Sequence, residues 1–172
     1  MHKRKERRGW PCLLGLAGVF LLAAPLSGAQ QAPRLDLKTV VEKEIKVQRG
    51  GKMATERIPV EKTGPGDVLV YTLTYRNAGN VAAADAAIVN PVPKGTVYRL
   101  NSASGSDAEI TLSIDNGQTW QKPPAMVQVK KSDGTVEMKP APPERHTHVR
   151  WIIKKPVQPG QSGQLSFKAT VR

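Results

Sequence analysis

The sequence predicts an all-β protein, an antiparallel β-sandwich, and three observations carry that prediction. Apolar residues recur with a period of two in short runs, turn-forming residues punctuate those runs at close intervals, and no amphipathic helix of useful length interrupts them. The run from Asp67 to Asn77 is the clearest. Leu69, Tyr71, Leu73 and Tyr75 point one way and Val68, Val70, Thr72 and Thr74 the other, the pattern of a strand buried on one face. The same alternation sets Ile110, Leu112 and Ile114 against Glu109, Thr111 and Ser113, and Val127 and Val129 against Gln128 and Lys130. Near the end of the chain Val149, Trp151 and Ile153 alternate with Arg150 and Lys154. Leu165, Phe167, Ala169 and Val171 then alternate with Gln164, Ser166, Lys168 and Thr170.

Between the runs lie Pro65-Gly66-Asp67, Asn77-Ala78-Gly79-Asn80, Asn90-Pro91-Val92-Pro93-Lys94-Gly95, Asp115-Asn116-Gly117, Asp133-Gly134 and Pro159-Gly160. Each combines a residue that presets φ, tolerates positive φ or bonds to its own backbone, which is what a tight turn requires. Upstream, Val41, Ile45 and Val47 alternate with Glu42, Glu44 and Lys46. Leu37, Val41 and Ile45 would also align on a helix, but the β-branched content favours a strand. With Gly50-Gly51 free to take positive φ, residues 37–48 and 53–61 are expected to form a hairpin.

The first residues have a different character. Lys3, Arg4, Lys5, Arg7 and Arg8 precede the apolar stretch from Leu13 to Ala24, and Ser27 and Ala29 form a small-x-small pair. That order is a secretory signal, with cleavage expected between Ala29 and Gln30. The apolar stretch falls short of the roughly 20 residues that span a bilayer and is broken by Pro25. Cys12 stands at the start of the stretch rather than at its end, where lipidation would need it, and the flanks of Arg7-Arg8 fit a twin-arginine signal poorly. The organisation expected is a signal peptide over 1–29, a flexible lead-in over 30–36, N-terminal strands over 37–61 and the sandwich over 62–172.

Cleavage leaves 143 of the 172 residues, enough for one core. It also removes Cys12, the only cysteine, so the mature chain has neither a disulfide nor a thiolate metal site and must be stabilised by packing. Loss of five basic residues and Glu6 takes the formal charge from +12 to +8. A surplus of that size favours encounters with anionic surfaces, although the lysines are scattered as on an ordinary solvated surface.

Taken together, the run Pro65-Gly66-Asp67-Val68-Leu69-Val70-Tyr71-Thr72-Leu73-Thr74-Tyr75-Arg76-Asn77-Ala78-Gly79-Asn80, the Asn90-Pro91-Val92-Pro93 segment, Ser113-Ile114-Asp115-Asn116-Gly117-Gln118-Thr119-Trp120 and the closing Thr147-His148-Val149-Arg150-Trp151 resemble a bacterial family, domain of unknown function 11. The resemblance covers roughly residues 60–172. It implies an immunoglobulin-like sandwich in secreted or surface proteins, with no catalytic residue and no cofactor. Family members often form arrays, whereas the domain here stands alone.

Ser113-x-Asp115-x-Gly117-x-Thr119-Trp120 is also similar to the Asp-box of sialidases, but Asx-turn bonding by Asp115, positive φ at Gly117 and a packed Trp120 ring account for these residues structurally. Trp120 is expected to be a well-buried aromatic packed over that hairpin. His146-x-His148 would place two imidazoles on the same side of a strand, as a metal site begins, yet two ligands do not make a site and a third would have to come from Glu144 or a distant carboxylate. Ser102, Ser104 and Ser106 lie in a polar loop without the Gly-x-Ser-x-Gly context of a nucleophile. No phosphate loop and no basic-aromatic interleaving for nucleic acid occurs.

The expectation is therefore a non-catalytic module of the periplasm or cell surface, with an envelope protein or an anionic glycan as partner and no membrane span after cleavage. Mass spectrometry of the exported protein should find its first residue at Gln30. An N-terminus that retains Leu13 to Leu22 would mean a membrane-anchored protein instead.

Overall fold

A computed structural model describes residues 32–172. The expected signal peptide, Cys12 and the Ala29/Gln30 junction lie outside the described residues. Among these the regular structure is β, in antiparallel sheets, with a single 3-10 turn at Pro143–Arg145 and no α-helix.

The larger sheet begins with β1 (Leu35–Arg49) and β2 (Lys52–Pro59), which pair around Gly50-Gly51, both at positive φ. β1 also pairs with β3 (Val68–Asn77) from Leu35↔Asn77 to Glu44↔Val68. The smaller sheet holds β4 (Ala87–Pro91). β5 (Thr96–Tyr98) and β6 (Ser104–Gly105) are short pieces at the far edge of the larger sheet, and β7 (Ala108–Ser113) returns to the smaller one. β8 (Met126–Lys130) and β9 (Val136–Pro140) make a separate hairpin. β10 (His148–Ile153) is the centre of the smaller sheet, between β4 and β7, and β11 (Ser162–Val171) joins β3 to β5 and β6 in the larger.

The alternating runs become core because both sheets turn their apolar faces to one cluster. β3 contributes Leu69, Tyr71, Leu73 and Tyr75; β11 contributes Leu165, Phe167 and Ala169; β10 contributes Val149, Trp151 and Ile153. Tyr71 and Phe167, opposite each other in the β3–β11 register, stack with centroids 4.7 Å apart and planes within 11°. Gly163 sits opposite Tyr75, where an added Cβ would fall 2.3 Å from the tyrosine oxygen. The ring lies over the glycine, and no larger residue fits beneath it.

Several sequence expectations need correction. The lead-in ends earlier than residue 36: β1 starts at Leu35, which packs against the core, and the Arg34 carbonyl accepts a bond from the Ala78 amide. Asn90-Pro91 closes β4 instead of opening a loop. Val70 is buried although it lies on the outward face of β3. Its register neighbours are Glu42 and Lys168, and the Lys168 ammonium pairs with Glu44, so long side chains screen that face from water. Thr111 and Ser113 are buried as well, where the segment after β7 returns alongside that strand through the Leu112↔Gln121 bridge.

Candidate functional site

The outer face of the smaller sheet is set by register. His148 lies opposite Pro91 on one side and Ser113 on the other, and Arg150 lies between Val89 and Thr111. An isolated antiparallel bridge, Leu112↔Gln121, adds the returning segment as a fourth row. Gln121 takes the inward position and its amide side chain bonds both the Met126 amide and the Met126 carbonyl. By strand alternation Trp120 and Lys122 then turn outward, beside Ser113 and Thr111. By register, Trp120, His148, Arg150, Val89 and Pro91 therefore share the outer face of the smaller sheet.

The turn that delivers Trp120 is saturated with its own hydrogen bonds. Asn116 and Gly117 have φ of 58° and 84°, the pair of positive values that a type I′ turn requires. Ser113 Oγ donates to Asp115 Oδ1 at 2.7 Å and accepts from the Gly117 amide at 2.8 Å. Asp115 Oδ1 also accepts from the Thr119 amide, and Oδ2 from the Thr119 hydroxyl. These donors, the Thr119 hydroxyl foremost, hold the Asp115 carboxyl down at about 2 against an ordinary value of 3.8. Both of its oxygens are engaged, so the carboxylate is a brace of the turn.

Trp120 is only partly buried, and the expectation of a well-buried ring is corrected here. It does lie against its turn, since a Cβ on Gly117 would sit 3.7 Å from the indole. Its ring carries the Arg150 guanidinium 4.3 Å above the centroid and meets the His148 ring edge-on. The fully buried indole is Trp151, at 0% exposure, whose Nε1 donates to the Ser104 carbonyl at 3.0 Å.

Pro65, Gly66 and Asp67 lie in a turn before β3 of the larger sheet. Gly66 has φ of 90°, as the third position of a type II turn demands, and the Gly64 amide donates to Asp67 Oδ2 at 2.8 Å. That backbone bond, ahead of the Lys43 ammonium, lowers the Asp67 carboxyl from its ordinary range. The Gly66 and Val171 amides, bonded to Val171 and Asp67 carbonyls, tie the turn to β11.

His146 and His148 are not one strand face. His146 precedes β10, is buried, donates through Nδ1 to the Pro142 carbonyl and tilts against Tyr98 at 5.2 Å. His148 turns toward Trp120, with Nδ1 3.1 Å from the Thr147 hydroxyl. Both border a depression of about 580 Å³ that also meets Lys94, Glu144 and Arg172. Among the described residues no three His, Cys, Asp or Glu side chains are grouped to hold a metal ion. Ser102 is bonded to the Arg99 carbonyl and Ser104 to Ser166.

Sequence reasoning passed over Arg150 and Asn77. Arg150 reads as the polar member of an alternating strand, and only the register shows it over Trp120. Asn77 reads as a turn residue, yet it is fully buried: Nδ2 donates to the carbonyls of Val81 and Val157, and Oδ1 accepts from the Gly79 amide.

Two outcomes separate these roles. Trp151→Ala should lower stability by about 3–5 kcal/mol in urea unfolding, whereas Trp120→Ala should cost about 1–2 kcal/mol, the worth of partial burial and one cation–π contact. Equal losses would contradict the difference in burial. For Asp115, a lowered folded-state pKa means stabilisation that is present above 3.8 and lost as pH falls through about 2. Melting temperatures of wild type and Asp115→Asn should therefore differ near pH 5 and converge toward pH 2. Asp67 and Asp133, also lowered, are common to both proteins and cancel in the comparison.

The chain matches no protein-family model, no curated protein and no solved structure.

Proposed function

We propose that the chain is a non-catalytic interaction module exported to the bacterial envelope, an immunoglobulin-like sandwich of the domain of unknown function 11 kind. The observation that carries this reading is the saturation of Asp115, whose two oxygens are taken by Ser113 and Thr119. The side chain that most tempts a hydrolase assignment is thereby a fixed part of the turn. The antiparallel sheets and the rows of aromatic and basic side chains on an outer sheet face support a surface that binds rather than a cleft that reacts. Export rests on the charge pattern of Lys3 to Arg8 and on the Ser27/Ala29 pair. No helix among the described residues is long and apolar enough to cross a membrane. The partner is an envelope component, protein or anionic glycan, with nucleic acid not expected.

A second reading, a glycan- or anion-binding module, is favoured by one specific observation, the guanidinium held over Trp120. The test of the main reading is fractionation of cells that express the full chain, with crosslinking to envelope extract. Export together with a saturable envelope partner is the expected result. Cytoplasmic retention, or turnover of glycoside, ester or peptide substrates abolished by Asp115→Asn, would overturn it.

A further inference from the structure

Arg150 is held in an unusual way for an exposed-face cation. Its Nε donates to the hydroxyl of Thr111 at 3.0 Å, and its guanidinium carbon lies 4.3 Å from the centre of the Trp120 ring. Thr111 is itself buried at 5% exposure, so the hydroxyl that fixes Nε is part of the sheet and not a mobile surface group. One hydrogen bond and one cation–π contact restrict the guanidinium, and among the described residues neither Nη group has a hydrogen-bond partner.

The carboxylates around it are already used. Glu109, one row along the strand, pairs with Lys122 at 3.0 Å, and Asp115 is bonded to Ser113 and Thr119. Among the described residues no carboxylate pairs with Arg150. An arginine that is pre-oriented, stacked and free of an internal counter-ion presents two parallel N–H groups in the geometry that a carboxylate accepts bidentately.

The flanks say what carries the carboxylate. Val89, opposite Arg150 in the register, is 45% exposed, and Pro91, also exposed, follows it on the same face two residues along β4. An exposed apolar strip beside a fixed fork suits the C–H face of a sugar ring whose acid group reaches the arginine. The basic balance of the chain, +8 after the expected cleavage, is complementary to a polyanion.

We infer that the Trp120–Arg150 face of the smaller sheet is a binding site for carboxylate-bearing sugars, the uronic acid units of an acidic polysaccharide. This deepens the interaction-module reading and rests on it. Arg150 supplies the fork, Thr111 orients it, Trp120 holds its plane, and Val89 and Pro91 meet the ring.

The experiment is calorimetric titration of the full chain with an oligogalacturonate at low and moderate salt, alongside its methyl ester and inorganic phosphate. The acid form should bind, and the neutral methyl ester should not. Arg150→Lys keeps the charge and removes the fork, so it should weaken binding roughly tenfold to a hundredfold with the melting temperature retained. Arg150→Gln should abolish binding, while Lys52→Gln, the same charge change on β2 of the other sheet, should leave it within about twofold. Thr111→Val, which frees Nε without a change of shape, should weaken it by an intermediate factor. Equal binding by Arg150→Lys and wild type, equal loss in Arg150→Gln and Lys52→Gln, equal affinity for the methyl ester, or phosphate binding as tight as the oligomer would each overturn the inference. Absence of binding by folded wild type would overturn it too. A saturable protein partner found by crosslinking would still uphold the broader module reading, so the two failures are distinguishable.

Discussion

The fold depends on the burial of Trp151 between its two sheets. The indole is inaccessible to solvent, and its one polar atom is satisfied by the carbonyl of Ser104, a residue of the larger sheet although Trp151 belongs to the smaller. That single bond fixes how far β10 stands from β6. Gly105 makes the approach possible: an added Cβ would fall 2.5 Å from Leu165 Cδ2 and 3.3 Å from Trp151 Cδ1. Phe167, which stacks on Tyr71, stands 6.2 Å from Trp151 and 6.4 Å from Tyr98, so the aromatic core passes from one sheet to the other through these rings. Tyr98 carries the contact on to His146 and the 3-10 turn. Large side chains at the centre let a domain of this size bury enough apolar surface without a covalent staple.

Where the apolar core stops, buried hydrogen bonds take over the ends of the sheets. Asn77, at the last position of β3, holds one amide and one carbonyl of the loop that follows it and the carbonyl of Val157, 80 residues away. The Asp67 turn and the Asp115 turn do the same work with carboxylates. A buried amide such as Asn77 is costly when left unpaired, so its full set of partners selects one loop conformation over its competitors. The surface ion pairs, Arg34–Asp36 and Lys155–Asp107 among them, are well exposed and contribute little by comparison.

What the sequence discloses and what it conceals follow from the range of the interactions. β3, β10 and β11 are legible because their period-two patterns are local and their burial is regular. The Asn116-Gly117 turn is legible for the same reason, since its conformation is decided within four residues. Trp151 is legible with β10, since it alternates with Arg150 and Lys154, whereas Trp120 is not: only pairing across the chain decides that its ring stays on the outer face. β5 and β6 are three and two residues long, too short for a periodic signal, and exist because β11 offers them an edge. Val70, Thr111 and Ser113 read as solvent-facing, because a local pattern contains no record of the segments that later cover them. Arg150 is hidden for the same reason.

That concealment bears on how a scattered basic surface acquires selectivity. Lysines such as Lys38, Lys46 and Lys52 are solvated cations on flexible stems. They raise the rate of encounter with any anionic surface and discriminate weakly among anions, since a compact ammonium imposes little geometry on its partner. Arg150 differs because the protein has already removed its rotational freedom, through Thr111 on one side and Trp120 on the other. The ordering cost that a flexible arginine would meet on binding is thus largely met on folding, and the free energy of a bidentate contact is available to favour one anion shape over another. The Asp115 turn supports Trp120, so the braces of the loop and the proposed recognition surface form one mechanical unit.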